Sequence, residues 1–143
     1  MVVARFLGMR AEGTFTVESF VPATLDPAPA EVSTSLPVGV AVLVKQFSGG
    51  VEGRSSTIFT AAFDQASGVG TYVAMESFQG SLAGAEGAFN FTHGATTTGA
   101  DRVAEHFVVV PGSGTGDLTG IAGAGGLAVE EDGTHRIWFD YAL

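Results

Sequence analysis

Cysteine is absent from the chain, which excludes disulfide staples, thiolate nucleophiles and sulfur-ligated metal centres and fits the reducing cytoplasm. Positive charge is scarce as well. Six lysines and arginines stand against fifteen aspartates and glutamates, a formal net charge of −9. No basic cluster is present to neutralise a row of phosphates, so nucleic acid is not an expected partner. No apolar run approaches the roughly 18 residues of a membrane span, and no membrane association is expected. The apolar stretch within Met1–Arg10 is broken by Arg5 and lacks a small-residue cleavage site, so no signal peptide is expected. Helical periodicity is missing too: no apolar 3.6-residue repeat of helical length survives the recurring glycines.

What remains is a chain of 143 residues, read as one domain over 1–143. A chain of that size buries roughly two-thirds of the surface its unfolded form exposes. Charged residues make up 15%, below the roughly 25% of ordinary soluble domains, so the polar surface must rest on Ser, Thr and Gly. Such a weakly charged surface predicts self-association into a homo-oligomer, with a dimer favoured. The 21 glycines follow no three-residue period and punctuate short apolar runs, as the corners of a β-structure do.

Alternation is clearest in Gly13–Glu18, where Phe15 and Val17 share one face and Thr14, Thr16 and Glu18 the other. Further strands are predicted over Val38–Phe47, Ser55–Phe63, Thr71–Gln79, Ala88–Thr92, Arg102–Val110, Leu127–Glu131 and Thr134–Ala142. Leu25–Pro37 carries three prolines among small residues and reads as a surface excursion placed to act as a lid. Pro111–Gly120 packs four glycines between two apolar runs and predicts a tight corner. Asp132-Gly133 suits a two-residue hairpin turn of the primed type. Short strands at regular spacing, with no helices, predict an all-β sandwich or barrel, and closure disposes best of the edges.

Tyr72-Val73-Ala74-Met75-Glu76, followed by Gly80, Gly84, Gly87, Phe89 and His93-Gly94, forms the first part of a recognisable pattern. Val110-Pro111, Ser113-Gly114-Thr115-Gly116, Leu118, His135 and Tyr141 complete it. The combination resembles an uncharacterised bacterial family of unknown function grouped with allene oxide cyclase-like barrels. The resemblance implies a closed eight-stranded antiparallel barrel of calycin-like type, and related members of the wider group include isomerase-type cyclases that need no cofactor. Ala85, Gly112 and Ile58 depart from the family pattern, where arginine, aspartate and glutamate are usual. Their loss implies a more apolar lumen or mouth.

Residues two apart on a strand share a face. Tyr72, Glu76 and Phe78 therefore line one side of their strand, Phe89, Phe91 and His93 one side of the next, and His135, Phe139 and Tyr141 one side of the last. Convergence of these stripes places Glu76, Tyr72 and His93 as candidate catalytic residues. Phe15, Val17, Phe78, Phe89, Phe91, His135, Phe139 and Tyr141 become candidate ligand contacts. Desolvation raises the pKa of a carboxylate in an apolar cavity, and a neutral histidine beside it exchanges protons near neutral pH. A structural reading stands beside this one, in which Glu76 bonds backbone or hydroxyl groups where strands cross and the histidines sit in water at the barrel ends.

Other chemistries find less support. Three histidines without acidic partners at ligand spacing predict no metal site. Gly114-Thr115-Gly116 precedes a strand rather than a helix, unlike a phosphate cradle, and Ser113 lacks a nucleophile-elbow context. Trp138 shares a side with Arg136 and Asp140, and is read either as an interface anchor or as a ring folded on its own surface. The expected partner is a small apolar molecule held in the lumen without a cofactor. Three functions follow: a cyclase or isomerase acting on a polyene, fatty-acid-like or polyketide-like substrate, a non-catalytic carrier, or a filled barrel acting through its surface.

Overall fold

The computed structural model describes residues 8–143; the reading of Met1–Arg10 falls mostly on residues 1–7, outside them. Eight strands follow in order: β1 (Met9–Ala23), β2 (Val38–Gly49), β3 (Val51–Asp64), β4 (Val69–Leu82), β5 (Ala85–Thr98), β6 (Val103–Val109), β7 (Ala122–Val129) and β8 (His135–Ala142). Each pairs antiparallel with the next, and β8 returns to β1 from Met9↔Tyr141 to Phe15↔His135, so the strands form a ring. Its weakest seam is β6 to β7, joined at the single registered pair Val108↔Ala124. Among the described residues no helix is long and apolar enough to cross a membrane.

Directly opposed residues of antiparallel strands point to the same side, so the register traces the interior from strand to strand. One inward row runs Lys45, Ser55, Phe78, Phe89. The next runs Leu43, Thr57, Glu76, Phe91, Val109, and the one after it Ala41, Phe59, Ala74, His93, Phe107. On β1 the inward set changes parity. A bulge between Val17 and Ser19 adds one residue, so Phe15 and Val17 face inward before it, whereas Phe20 and Pro22 oppose the buried Leu43 and Ala41 beyond it.

Several strands are longer than their alternation predicts. Gly80, expected to separate two strands, lies inside β4 opposite Gly53. A Cβ on either glycine would collide with the facing backbone, so the pair marks a close approach within a continuous ladder. β7 begins at Ala122 rather than Leu127, because its glycines oppose the bulky Tyr141 and Phe139 of β8. The Asp132-Gly133 hairpin is longer than the two-residue type. Gly133 N–H donates to the Glu130 carbonyl and Glu130 N–H to the Thr134 carbonyl, with Gly133 at φ 89°, a turn ending in a left-handed residue.

One end of the ring is packed shut. Phe47, Phe78, Phe89, Phe91 and Phe139 are buried there with Val51, Leu82 and Ile137. Phe139 meets Phe89, Phe91 and Phe107 edge-on at centroid separations of 5.2–5.3 Å, the arrangement that ring quadrupoles favour. The Pro111–Gly120 segment does more than turn a corner. Thr115 N–H donates to the Ala88 carbonyl and Ser113 Oγ accepts from Asn90 N–H, which lays the segment along β5. Leu118 and Ile121 then enter the bottom of the core, with 0% and 1% exposure.

Candidate functional site

The opposite end of the ring is open. Behind its mouth lies an inner chamber of about 200 Å³. Phe15 and Val17 of β1, Leu43 and Lys45 of β2, Thr57 and Phe59 of β3, and Leu127 and Val129 of β7 line it together with Tyr72, His93, Arg102 and His135. An adjoining outer chamber of about 270 Å³ is bounded by Phe20, Ala61, Phe63, Ala95 and Thr97. Phe59 and Tyr72 line both chambers and stack on each other at 5.5 Å, so they form the partition. The 24–37 excursion joins β1 and β2 at this end, yet none of its residues lines either chamber.

A chain of polar contacts crosses the chamber wall toward the core. Arg102 Nη2 lies 2.9 Å from Tyr72 Oη, Tyr72 Oη 2.9 Å from His93 Nδ1, and His93 Nε2 2.9 Å from Glu76 Oε1. Lys45 Nζ approaches the same Glu76 oxygen at 2.8 Å, and Ser55 Oγ donates to Oε2 at 2.5 Å. The proton positions follow from the ends of the chain. Arginine has only donors and an ionised carboxylate only accepts. Tyr72 must then accept from Arg102 and donate to Nδ1, which leaves the proton of His93 on Nε2, directed at Glu76.

Electrostatics agree with that assignment. Burial pushes the Glu76 carboxyl up, but the His93 hydrogen bond, the Lys45 ammonium and the Ser55 hydroxyl together hold it below its ordinary value. The elevated pKa expected from desolvation is therefore reversed, because the lumen holds hydrogen-bond donors and a cation beside the carboxylate. Burial pushes the His93 imidazole down further than Glu76 pulls it up, with Lys45 and Arg102 adding in the same direction, so His93 is neutral at pH 7. Burial likewise pushes the Tyr72 phenol up against the pull of Arg102, and it keeps its proton.

The candidate residues divide by depth. Tyr72 and His93 line the inner chamber with Phe15, Val17 and His135, whose ring lies 5.0 Å from that of Phe15. Glu76 is fully buried behind them and reaches the chamber only through His93 and Lys45. Phe78, Phe89, Phe91, Phe139 and Tyr141 sit in the packed end rather than against the chambers. Among the described residues no group of three or more His, Asp or Glu side chains converges as a metal set; Glu76 meets one histidine, one lysine and one serine.

Sequence reading missed Lys45, Thr57 and Arg102. Lys45 occupies the same parity as Leu43 and Phe47, a signal hidden because Val40, Val42 and Val44 make the other face equally apolar. The expected loss of polarity at Ile58 is also relocated. Ile58 points outward with 59% exposure, since its neighbour Thr57 takes the inward position, and Gly112 lies in an exposed turn. Ala85 packs against the closed end. The polarity of the open end is thus untouched by these three departures. Trp138 is half-buried, its indole over Gly126 where a Cβ would collide with the ring.

The model of a family described as "protein of unknown function (DUF3224)" matches residues 11–141. A crystal structure of a protein of unknown function from the same family, from Shewanella oneidensis MR-1, aligns with a TM-score of 0.79 and 32% identity over 94% of this chain and 97% of that one. No curated protein matches the chain. With the family pattern spanning every strand of the ring, the chain belongs to the DUF3224 family.

Proposed function

We propose that this protein binds a small, largely apolar molecule in the open half of a calycin-like lumen, a reading supported by the resemblance of its sequence pattern to allene oxide cyclase-like barrels. The observation that carries this reading is the division of the interior. One end is filled by five phenylalanines, while the other keeps a chamber of about 200 Å³ with mostly apolar walls. A dry apolar cavity of ~150 Å³ already accommodates benzene, so a ring-sized body fits the inner chamber. A polyene or fatty-acid-like chain must continue past Phe59 into the outer one. Native mass spectrometry of the purified protein, with solvent extraction of any passenger, tests the reading. A stoichiometric passenger that Leu127→Trp excludes is the expected result. A chain that stays empty against a panel of ring compounds and short fatty acids would overturn it and favour a surface function.

The second reading is catalytic, and the Tyr72–His93–Glu76 contacts favour it. Tyr72 oxygen takes a proton from an activated C–H of the ligand as its own proton passes to His93 Nδ1 and the Nε2 proton passes to Glu76. Reversal returns the proton to a different carbon and shifts a double bond, with no cofactor consumed. The C–H electron pair stays on the ligand as a delocalised anion, and Arg102, on the Tyr72 oxygen, stabilises the phenolate character that oxygen acquires as its proton leaves for His93. Exchange of ligand C–H for deuterium, catalysed by the wild type and lost in Tyr72→Phe at unchanged affinity, is the expected outcome. Binding without exchange in the wild type leaves a carrier. A homo-oligomer remains part of the proposal, supported by the outward apolar row Val42, Ile58 and Met75; sedimentation as a monomer would remove it.

A further inference from the structure

We infer that the ligand of the inner chamber carries an sp² oxygen, a carbonyl or carboxylate, that accepts hydrogen bonds from Thr57 and Lys45. The inference rests on the binding reading above and specifies the class of molecule. Thr57 lines the chamber. Its Oγ1 is the one buried side-chain polar atom with no hydrogen-bond partner among the described residues. Buried hydroxyls are seldom left unpaired, and an orphan of this kind marks a place where something else bonds.

The inventory of the chamber gives the sign of the missing group. Both oxygens of Glu76 are occupied, Oε1 by Lys45 and His93 and Oε2 by Ser55. Both nitrogens of His93 are likewise engaged. Donors are left over. Lys45 has three N–H groups and gives one to Glu76, while its Nζ stands 4.8 Å from the Phe15 ring centroid on the chamber wall. Arg102 gives Nε to Glu105 and Nη2 to Tyr72, leaving Nη1 uncommitted among the described residues. Thr57 can donate as well. An amine would find only the Thr57 hydroxyl to accept from it and would face the Lys45 and Arg102 cations, whereas a ligand oxygen satisfies all three donors.

The register places the surplus at the chamber floor. Thr57 opposes Glu76 across β3 and β4, and Lys45 opposes Ser55 on the neighbouring row, so the two donors flank one spot above the buried carboxylate. Leu43, Phe59 and Leu127 are the apolar walls around it. The ligand therefore enters oxygen first, with its ring or chain toward the mouth.

Titration calorimetry with four single-ring probes tests this, using toluene, benzylamine, acetophenone and benzoate on the full chain. Methyl NMR of Leu43 and Leu127 reports occupancy of the chamber. Acetophenone or benzoate is expected to bind at least tenfold more tightly than toluene, with benzylamine the weakest. Thr57→Val should erase most of the acetophenone advantage while leaving toluene unchanged, and the near-identical shape of valine keeps the fold. A preference for benzoate over acetophenone identifies an acid as the ligand class, and the reverse identifies a neutral carbonyl. Toluene binding as tightly as both oxygen compounds would overturn the inference and leave the binding reading intact. Failure of all four to bind, with the chamber also empty against short fatty acids, would overturn both.

Discussion

The two ends of the lumen are built from the same alternating strands and finish in opposite states. At the closed end the inward positions are Phe47, Phe78, Phe89, Phe91 and Phe139, and the long β6–β7 connection adds Leu118 and Ile121 as a plug. At the open end the inward positions include Lys45, Thr57, Tyr72 and His93, the strand-joining 24–37 segment stays clear, and space remains. Small eight-stranded rings are just wide enough to be filled by side chains. What separates filled from open here is the choice of residues at a few inward positions and the direction of one connection. The closed end holds the packed aromatic core, and the open end holds the polar side chains of the lumen.

The Lys45–Glu76 pair sits at the border, and removing one partner is the strongest way to break the comparison. Lys45→Met leaves a buried carboxylate without its counter-ion and is expected to cost about 3–5 kcal/mol, while the double variant Lys45→Met with Glu76→Leu should recover most of the loss. Urea denaturation of the three proteins checks this. Recovery would show that the pair serves the site rather than stability, and equal losses in the single and double variants would show that it holds the ring together.

Truncations compare the ends directly. Phe139→Ala creates a cavity among interlocked rings and is expected to cost about 3–5 kcal/mol. Phe59→Ala, between two chambers that already hold space, should lose only the transfer contribution of about 1–2 kcal/mol and merge the chambers. Thermal unfolding gives the first quantity, and uptake of longer ligands gives the second. Similar losses at both positions would erase the distinction between a filled and an open half.

Acid should act on the open half. His93 has a folded-state pKa below its ordinary 6.5 and Glu76 one below its ordinary 4.5. In both cases the unfolded chain binds protons first as the pH falls, so stability is complete above the ordinary values and declines below them. The loss is expected to begin below pH 6.5 through His93 and to deepen below pH 4.5 through Glu76. His93→Gln should abolish the upper limb alone in a pH series of denaturation curves. A flat profile between the two values would mean that His93 is not buried neutral.

The smallest effect has the opposite sign. Thr57→Val removes an unpaired buried hydroxyl and is expected to stabilise the unliganded protein by about 1 kcal/mol. A gain of that kind at a chamber wall is the signature of a position kept polar for binding. Destabilisation measured in the same assay would mean that Thr57 already has a partner.

Much of this was readable along the chain because alternation is local. The inward stripes on β4, β5 and β8 follow from residues two apart, and the structure brings Tyr72, Glu76 and His93 together as those stripes require. Reading failed where local signals were symmetric or punctuation was misjudged. Valines on one face of β2 and Leu43 and Phe47 on the other concealed Lys45, and Gly80 looked like an end when it was a close approach to Gly53. The bulge near Glu18 changes the parity of β1, and no short window announces it.

The sequence by itself determined an all-β chain without cysteine chemistry, the approximate place of each strand, and which side chains travel together on a face. Those properties depend on composition and on a two-residue period. The tertiary structure alone decided how deep along the ring each stripe lies, that Lys45 meets Glu76 across 31 residues of chain, and that one end is plugged while the other is open. Depth and partnership come from strand register and from the path of a connection, which are set by contacts between distant segments and leave no periodic trace in the chain.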